Sequence, residues 1–290
     1  MRTVVLINAH SRKARSLLPQ IEEDFSRMKI AEMIIVKRKS QFPKVYEKLK
    51  ELEFDRLIIG SGDGTVTTTT NHLRNRKVVY GFLPLGTLNT FMTNIGLPLE
   101  YQDALEIIKT GKPTKVSLGQ MNGELFTCNA AIGVSTKVAE NISDKTKRLL
   151  GPLGYIVSGT KELVRHRPFE CRLVIDDEVL TFKTHQVLVA NGRYHGHSPI
   201  AKAASVYKNQ LVFVAFGTDQ SRLQHAKSMA KFGLHRHHDD DSTLIIPFRH
   251  ATLTTTPLRN IEADGEVAGA TPAEFQVIPE AIRVLTARKT

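Results

Sequence analysis

Leu57-Ile58-Ile59-Gly60-Ser61-Gly62-Asp63-Gly64-Thr65 is the stretch on which the reading turns. An apolar, β-branched run leads into three alternating glycines and then into a helical pattern at Val66–Arg74. Glycine carries no Cβ, so the backbone can turn tightly here and come close to a ligand. The start of a helix adds N–H groups without intrahelical partners and the positive end of the dipole, which suits a phosphate. The spacing is not that of the P-loop, since no Gly-Lys-Ser/Thr follows, and it is not the dinucleotide fingerprint. A glycine-rich strand-to-helix turn without a ligand is the plain alternative.

Outward from this turn the first part of the chain alternates strands and helices. Val4–Asn8, Met33–Lys37, Arg56–Ile59 and Val78–Leu83 read as strands, with helices at Ser16–Met28, Pro43–Leu52 and Val66–Arg74 between them. That alternation predicts a parallel sheet covered by helices. Tyr101–Thr110 reads as a further helix, closed by Gly111 and Pro113. In a parallel sheet the loops after the strands share the carboxyl edge, where open α/β sheets bind ligands. Asn8-Ala9-His10-Ser11-Arg12 and Gly81–Phe91 are polar loops that belong to this edge together with the glycine turn.

Farther along, strand-like runs dominate: Leu125–Asn129, Glu170–Ile175, Val187–Ala190, Leu211–Phe216, Leu244–Pro247, Ala251–Thr256 and Glu274–Ile278. Two helical segments, Lys147–Val164 and Ser221–Phe232, interrupt them. The expected fold is therefore α/β, a parallel-sheet domain over 1–113, whose glycine turn suits a phosphate, followed by a β-rich, sandwich-like domain over 114–290.

Composition narrows the class. The 290 residues include 41% hydrophobic and 24% charged side chains, the profile of a globular protein. Only Cys128 and Cys171 occur, without paired spacing, which argues against a disulfide framework or thiolate metal site. No apolar stretch approaches the length of a membrane span, and the expectation is a cytoplasmic protein. Lys plus Arg number 40 against 29 acids, a net charge of +11 that attracts phosphates on nucleotides, nucleic acids or anionic lipid. The tract His235–Asp241 reads as a solvated loop, and Lys145-Lys147-Arg148 before Leu149–Leu153 as a candidate contact with an anionic membrane.

Four motifs in order carry a family resemblance: Gly62-Asp63-Gly64-Thr65, Pro84-Leu85-Gly86-Thr87-x-Asn89, Ala190-Asn191-Gly192-Arg193-Tyr194 and Asp264-Gly265-Glu266. Together they resemble the diacylglycerol-kinase catalytic family, whose superfamily includes sphingosine kinases and NAD kinases. The resemblance implies an ATP- and Mg²⁺-dependent lipid kinase that touches anionic membranes transiently and needs no specific nucleic acid. It implies ATP contacts at Asn8, Ala9, His10, Ser11, Arg12, Gly62, Asp63, Gly64, Thr65, Val66, Thr67, Thr68, Thr87 and Asn89, with Asp63 at the metal. Asp264 and Glu266 would stand at the acceptor hydroxyl, one of them as general base. NAD kinase and a non-catalytic nucleotide or lipid binder are the alternatives.

Several acids of the family pattern are absent. Thr90 stands where relatives carry Asp, and Thr67-Thr68 where they carry Asn-Glu. Ser117 replaces an Asp, and Lys208-Asn209 occupies the place of a structural-metal Asp-Gly. The expectation is a metal–phosphate end organised around Asp63 and no tightly held cation near Lys208.

Overall fold

A computed structural model describes residues 2–133, 167–196, 198–216 and 243–287. The helical segments Lys147–Val164 and Ser221–Phe232, the basic cluster with Leu149–Leu153, the tract His235–Asp241 and His197 lie outside the described residues. Two units form. One comprises Met1–Leu118, Val206–Asn209 and Ile278–Thr290, the other Gly119–Ser205 and Gln210–Val277. The sequence suggests one division at 113/114; the first unit instead draws on three separate segments.

In the first unit the order is β1 (Thr3–Asn8), α1 (Ala14–Ser26), β2 (Glu32–Val36), α2 (Phe42–Glu51), β3 (Arg56–Ser61), α3 (Asp63–His72), β4 (Val79–Pro84), α4 (Thr90–Asn94), α5 (Tyr101–Thr110) and β5 (Lys112–Met121), which runs on into the second. Strands β1, β2, β3 and β4 pair in parallel in the order β2-β1-β3-β4. Val4–Ile7 and Leu57–Ile59 are fully buried, so these strands read as continuous apolar runs rather than alternating ones, as two-sided covering requires. Tyr101, Ala104, Leu105 and Ile108 of α5 repeat at helical spacing and pack in one cluster with Val5, Ile7, Ile58, Leu83 and the α1 residues Ile21 and Phe25.

The second unit follows with β6 (Glu124–Phe126), β7 (Asn129–Gly133), β8 (Phe169–Ile175), β9 (Glu178–Thr184), β10 (Gln186–Ala190), β11 (Tyr194–His195), β12 (Ser198–Pro199), β13 (Leu211–Phe216), β14 (Leu244–Phe248), β15 (His250–Thr256), β16 (Asn260–Ala263), β17 (Glu266–Ala270) and β18 (Ala273–Thr286). One antiparallel sheet has the order β14-β13-β10-β7-β16-β17. In another, the first half of β18 pairs with β15, then β8, then β9. Their inward faces meet in a core that holds Phe126, Phe169, Phe213 and Phe275, the packing of a β-sandwich. The second half of β18 lies parallel to β4 in the first unit, with Arg283 opposite Val79.

The architecture is the parallel α/β unit and antiparallel β-rich unit that the sequence predicts, with local departures. The expected strand Leu125–Asn129 is broken: β6 ends at Phe126 and β7 begins at Asn129. Thr127 and Cys128 between them turn their N–H groups to the carboxylate of Asp264. Helix α3 begins at Asp63, three residues earlier than the apolar pattern suggests, because Gly62 is extended and serves as its N-cap. Its threonines bond back along the helix, Thr68, Thr69 and Thr70 to the carbonyls of Gly64, Thr65 and Val66 at 2.7–2.8 Å. The expected Glu274–Ile278 is a much longer strand, since β18 continues past Pro279 to Thr286.

Candidate functional site

At the carboxyl edge of the parallel sheet three loops are laced together. The Asn8 amide donates to Ser61 Oγ at 3.3 Å and to Thr65 Oγ1 at 2.9 Å, while its Oδ1 accepts the His10 N–H at 3.0 Å. Ser11 Oγ lies 3.1 Å from Ser61 Oγ. Backbone bonds finish the lacing: Leu85 N–H to the Ser61 carbonyl at 3.2 Å, and Lys13 N–H to the Leu85 carbonyl at 3.0 Å. The Ala9 N–H bonds the Val36 carbonyl at 3.0 Å, and His10 Nε2 is buried without a partner among the described residues.

Gly62 and Gly86 touch backbone to backbone. A Cβ on Gly86 would stand 2.4 Å from Gly62 Cα and 2.6 Å from Asn89 Oδ1. Asn89, itself in the left-handed region at φ 49°, accepts the Gly86 N–H at 2.9 Å through that oxygen. The absence of side chains is therefore what lets the second loop lie on the first.

Asp63 does the opposite of facing outward alone. Its Oδ2 accepts the Thr90 N–H and its Oδ1 the Phe91 N–H, each at 2.9 Å, so it caps the short helix α4. Thr90 thus contributes a backbone donor where its side chain replaces an acid. Val66 is fully buried, and Asn89 is 3% exposed, so both shape the loops from within. Gly64, Thr87 and Arg12 are exposed, and so are Lys13 and Arg15. None of the three cations is ion-paired among the described residues, and the first turn of α3 leaves the Gly64 and Thr65 N–H groups without intrahelical acceptors.

Asp264 and Glu266 flank a hairpin turn between β16 and β17. Asp264 at φ 50° and Gly265 at φ 91° give it two successive left-handed residues, the requirement of the tight type I′ turn. The Asp264 carboxylate accepts the Thr127 N–H at 2.6 Å and Thr127 hydroxyl at 2.8 Å on Oδ2. On Oδ1 it accepts the Cys128 and Asn129 N–H groups at 2.8 and 3.1 Å. A carboxylate offers about four lone-pair sites, and these bonds engage them all. Glu266 is exposed and accepts no hydrogen bond among the described residues.

The same segment is held from its other side. Asn191 donates through Nδ2 to the Thr127 carbonyl at 2.8 Å and through its N–H to the Cys128 carbonyl at 2.9 Å. His195 Nδ1 lies 3.0 Å from Asn129 Oδ1. With Oδ1 on this side of the amide the bond uses the Nδ1–H tautomer, and with Nδ2 there it uses the other. Burial holds His195 below the ordinary histidine range, against the smaller opposing pull of the Asp264 charge, and keeps the imidazole neutral. Asn129, Thr127 and His195 are the site residues that sequence reasoning missed. His195 directly follows the motif ending at Tyr194, but nothing in the spacing signals that it meets Asn129.

Near Lys208, the Ser117 hydroxyl donates to Asn209 Oδ1 at 3.0 Å, and the Ser117 N–H to the Val206 carbonyl at 2.8 Å. Among the described residues no group of three or more His, Cys, Asp or Glu side chains could hold a metal.

Residues 2–121 match the diacylglycerol kinase catalytic domain, and residues 129–286 match the YegS C-terminal NAD kinase beta sandwich-like domain. The chain is 28% identical over 250 residues to a "putative lipid kinase" of Staphylococcus haemolyticus, covering 84% of this chain and 81% of that one. A "putative lipid kinase" of Staphylococcus aureus strain MSSA476 is 28% identical over 237 residues, 81% of this chain and 78% of that one. Among solved structures, a "putative diacylglycerol kinase" from Bacillus anthracis superposes with a TM-score of 0.83 at 20% identity, over 98% of this chain and 96% of that one. At that identity the likeness speaks for the fold.

Proposed function

The chain belongs to the diacylglycerol kinase catalytic-domain family with its YegS-type C-terminal domain, and from that premise we propose that it transfers the γ-phosphate of ATP to a lipid hydroxyl. The observation that carries this reading is the loop edge of the first unit. There a helix start at exposed Gly64 and half-buried Thr65 lies on a backbone-to-backbone glycine contact, and exposed Arg12, Lys13 and Arg15 share the edge. N–H groups and cations together offer a polyphosphate what it needs.

ATP is bound by the Gly64 and Thr65 N–H groups, the Thr87 hydroxyl and the Arg12 guanidinium. Asn8, Ala9, His10, Ser11, Gly62, Val66, Thr67, Thr68 and Asn89 hold those groups in place. Asp63 suits a magnesium ion as a single carboxylate sharing it with phosphate oxygens, the arrangement Mg²⁺ commonly adopts, and such an ion offsets phosphate charge when bound. Glu266 is the base of the acidic pair, since the four donors on Asp264 hold that carboxylate as the anchor of its turn. The acceptor O–H proton passes to Glu266, the hydroxyl oxygen bonds the γ-phosphorus, and ADP leaves. Net charge of +11 favours transient docking on anionic membranes.

The test is transfer of label from γ-³²P-ATP to a panel of lipids in mixed micelles, with NAD as a competing acceptor. Label in a lipid product is expected. Label in NADP would move the assignment to NAD kinase, and label in neither would leave a binding protein.

A further inference from the structure

Among the described residues the two most exposed large hydrophobic side chains are Leu258, 66% exposed, and Val267, 55% exposed. Both stand on the hairpin that carries Asp264-Gly265-Glu266, Val267 early in β17 and Leu258 two residues before β16. Strand β17 is the last of its sheet among the described residues, and all five of its residues are exposed. Free edge strands are ordinarily blunted by charge, yet no charged residue occurs from Val267 to Ala273. Single apolar residues on a surface need no account; two on one hairpin, beside an exposed carboxylate, do.

The hairpin is held so that it presents these side chains. Ile261 and Ala263 of β16 pack in the sandwich core, and Val267 lies opposite Glu262 between them, so its register turns it away from that core. At the turn, the four bonds to the Asp264 carboxylate fix one end. At the other end the Thr271 hydroxyl accepts the Arg259 N–H at 3.1 Å, and the Thr271 N–H bonds the Arg259 carbonyl at 2.9 Å. Thr271 Oγ1 also lies 2.6 Å from Thr255 Oγ1. Next to Leu258, the Arg259 guanidinium stands over the Phe169 ring, 5.1 Å from its centroid, and its buried Nε meets no acceptor among the described residues. An apolar side chain followed by a cation is the pairing that suits the boundary between acyl chains and headgroups.

We propose that the β16–β17 hairpin is the edge that docks on the lipid bilayer, with Leu258 and Val267 entering the acyl layer and Arg259 meeting a headgroup phosphate. This rests on the kinase reading, which puts the acceptor hydroxyl at Glu266. A lipid hydroxyl brings its hydrocarbon with it, so the surface beside Glu266 is the surface that hydrocarbon meets, and the next residue along the strand is Val267. Only side chains enter the acyl layer. The open backbone edge of β17 stays among headgroups and water, since unpaired N–H and C=O groups are not tolerated in hydrocarbon. The long-range pull of the net charge brings the protein to an anionic surface, and the hairpin supplies the contact that orients it there.

The chain has no tryptophan, so one introduced indole is a sole reporter. Leu258→Trp and Val267→Trp are compared with Val179→Trp on the edge strand β9, where the native side chain is 50% exposed. The probe is phosphatidylglycerol–phosphatidylcholine vesicles at low ionic strength, with and without brominated acyl chains. A blue shift and quenching by bromine are expected at 258 and 267 and not at 179. The double variant Leu258→Asn, Val267→Thr should lower partitioning onto the same vesicles about tenfold. Circular dichroism and ATP binding should not change, since neither side chain packs inside. Equal quenching at 179, or none at either hairpin position, overturns the assignment. So does a blue shift without vesicles that grows with protein concentration, which would show β17 pairing with a second copy. If a lipid is phosphorylated while the hairpin reporters stay unquenched, the docking assignment fails alone. If they are quenched and no lipid accepts phosphate, the kinase reading fails and the docking edge stands.

Discussion

Asp264 and Glu266 look interchangeable in the sequence, and their surroundings separate them. Asp264→Asn would turn an amide N–H₂ toward N–H donors that now meet a carboxylate, so stability should fall by about 2–3 kcal/mol. Glu266→Gln touches no internal partner and should leave thermal unfolding unchanged while lowering turnover by about 10²–10⁴. Parallel denaturation and rate measurements on the two variants check this, and a turnover loss in Asp264→Asn without a loss of stability would contradict it. Gly86 makes a sharper case, since a methyl group there meets backbone 2.4 Å away. Gly86→Ala should weaken ATP binding at least tenfold in equilibrium dialysis while the sheet remains folded by circular dichroism. His195 adds a pH signature. Its folded-state value is depressed by burial, so its contribution is fully present above the unfolded value of about 6.5. That contribution is lost as pH falls toward the folded value, because the unfolded chain takes up the proton first. His195→Asn should flatten the stability profile below about pH 6.5, and an unchanged profile would show that the histidine is not buried neutral.

Among the elements, α4 depends on a side chain from another helix. Five residues cannot stabilise a helix by themselves, and the Asp63 carboxylate holds the first two of their N–H groups. Asp63→Ala should speed amide exchange at Thr90 and Phe91 by roughly fivefold, in keeping with a cap of about 1 kcal/mol, and unchanged protection there would argue against the capping role. Elements of this kind are where sequence reading stops. Strands β1 and β3 were legible as buried apolar runs rich in β-branched residues, and α5 because its apolar spacing is helical throughout. Helix α4, the break at Thr127–Cys128 and the hairpin partner β9 were not legible. The first two depend on a bond to a residue far along the chain, and β9 is a surface-facing edge strand whose apolar residues Val179 and Leu180 stay exposed. The same holds for the site: its glycines and acids stand out by type, whereas the Asn129–His195 contact joins residues 66 positions apart.

At the scale of the whole molecule, the surplus of cations should make membrane contact salt-dependent. Sedimentation with vesicles rich in phosphatidylglycerol is expected at low ionic strength and should be lost at about 0.5 M salt, where screening is short-ranged. Among the described residues no helix is long and apolar enough to cross a membrane. The cysteines report on integrity: Cys171 is buried and pushed up to about 12, chiefly by desolvation and secondarily by Glu170, so thiol reagents should reach it only on unfolding. The path of the chain through its two units has a consequence for biosynthesis. The strand that pairs with β4 is the second half of β18, and every strand of the sandwich is translated before it. A ribosome extending the chain from its amino end therefore releases the first unit with its β4 edge open, for as long as the sandwich takes to be made. The unit that begins first is closed last.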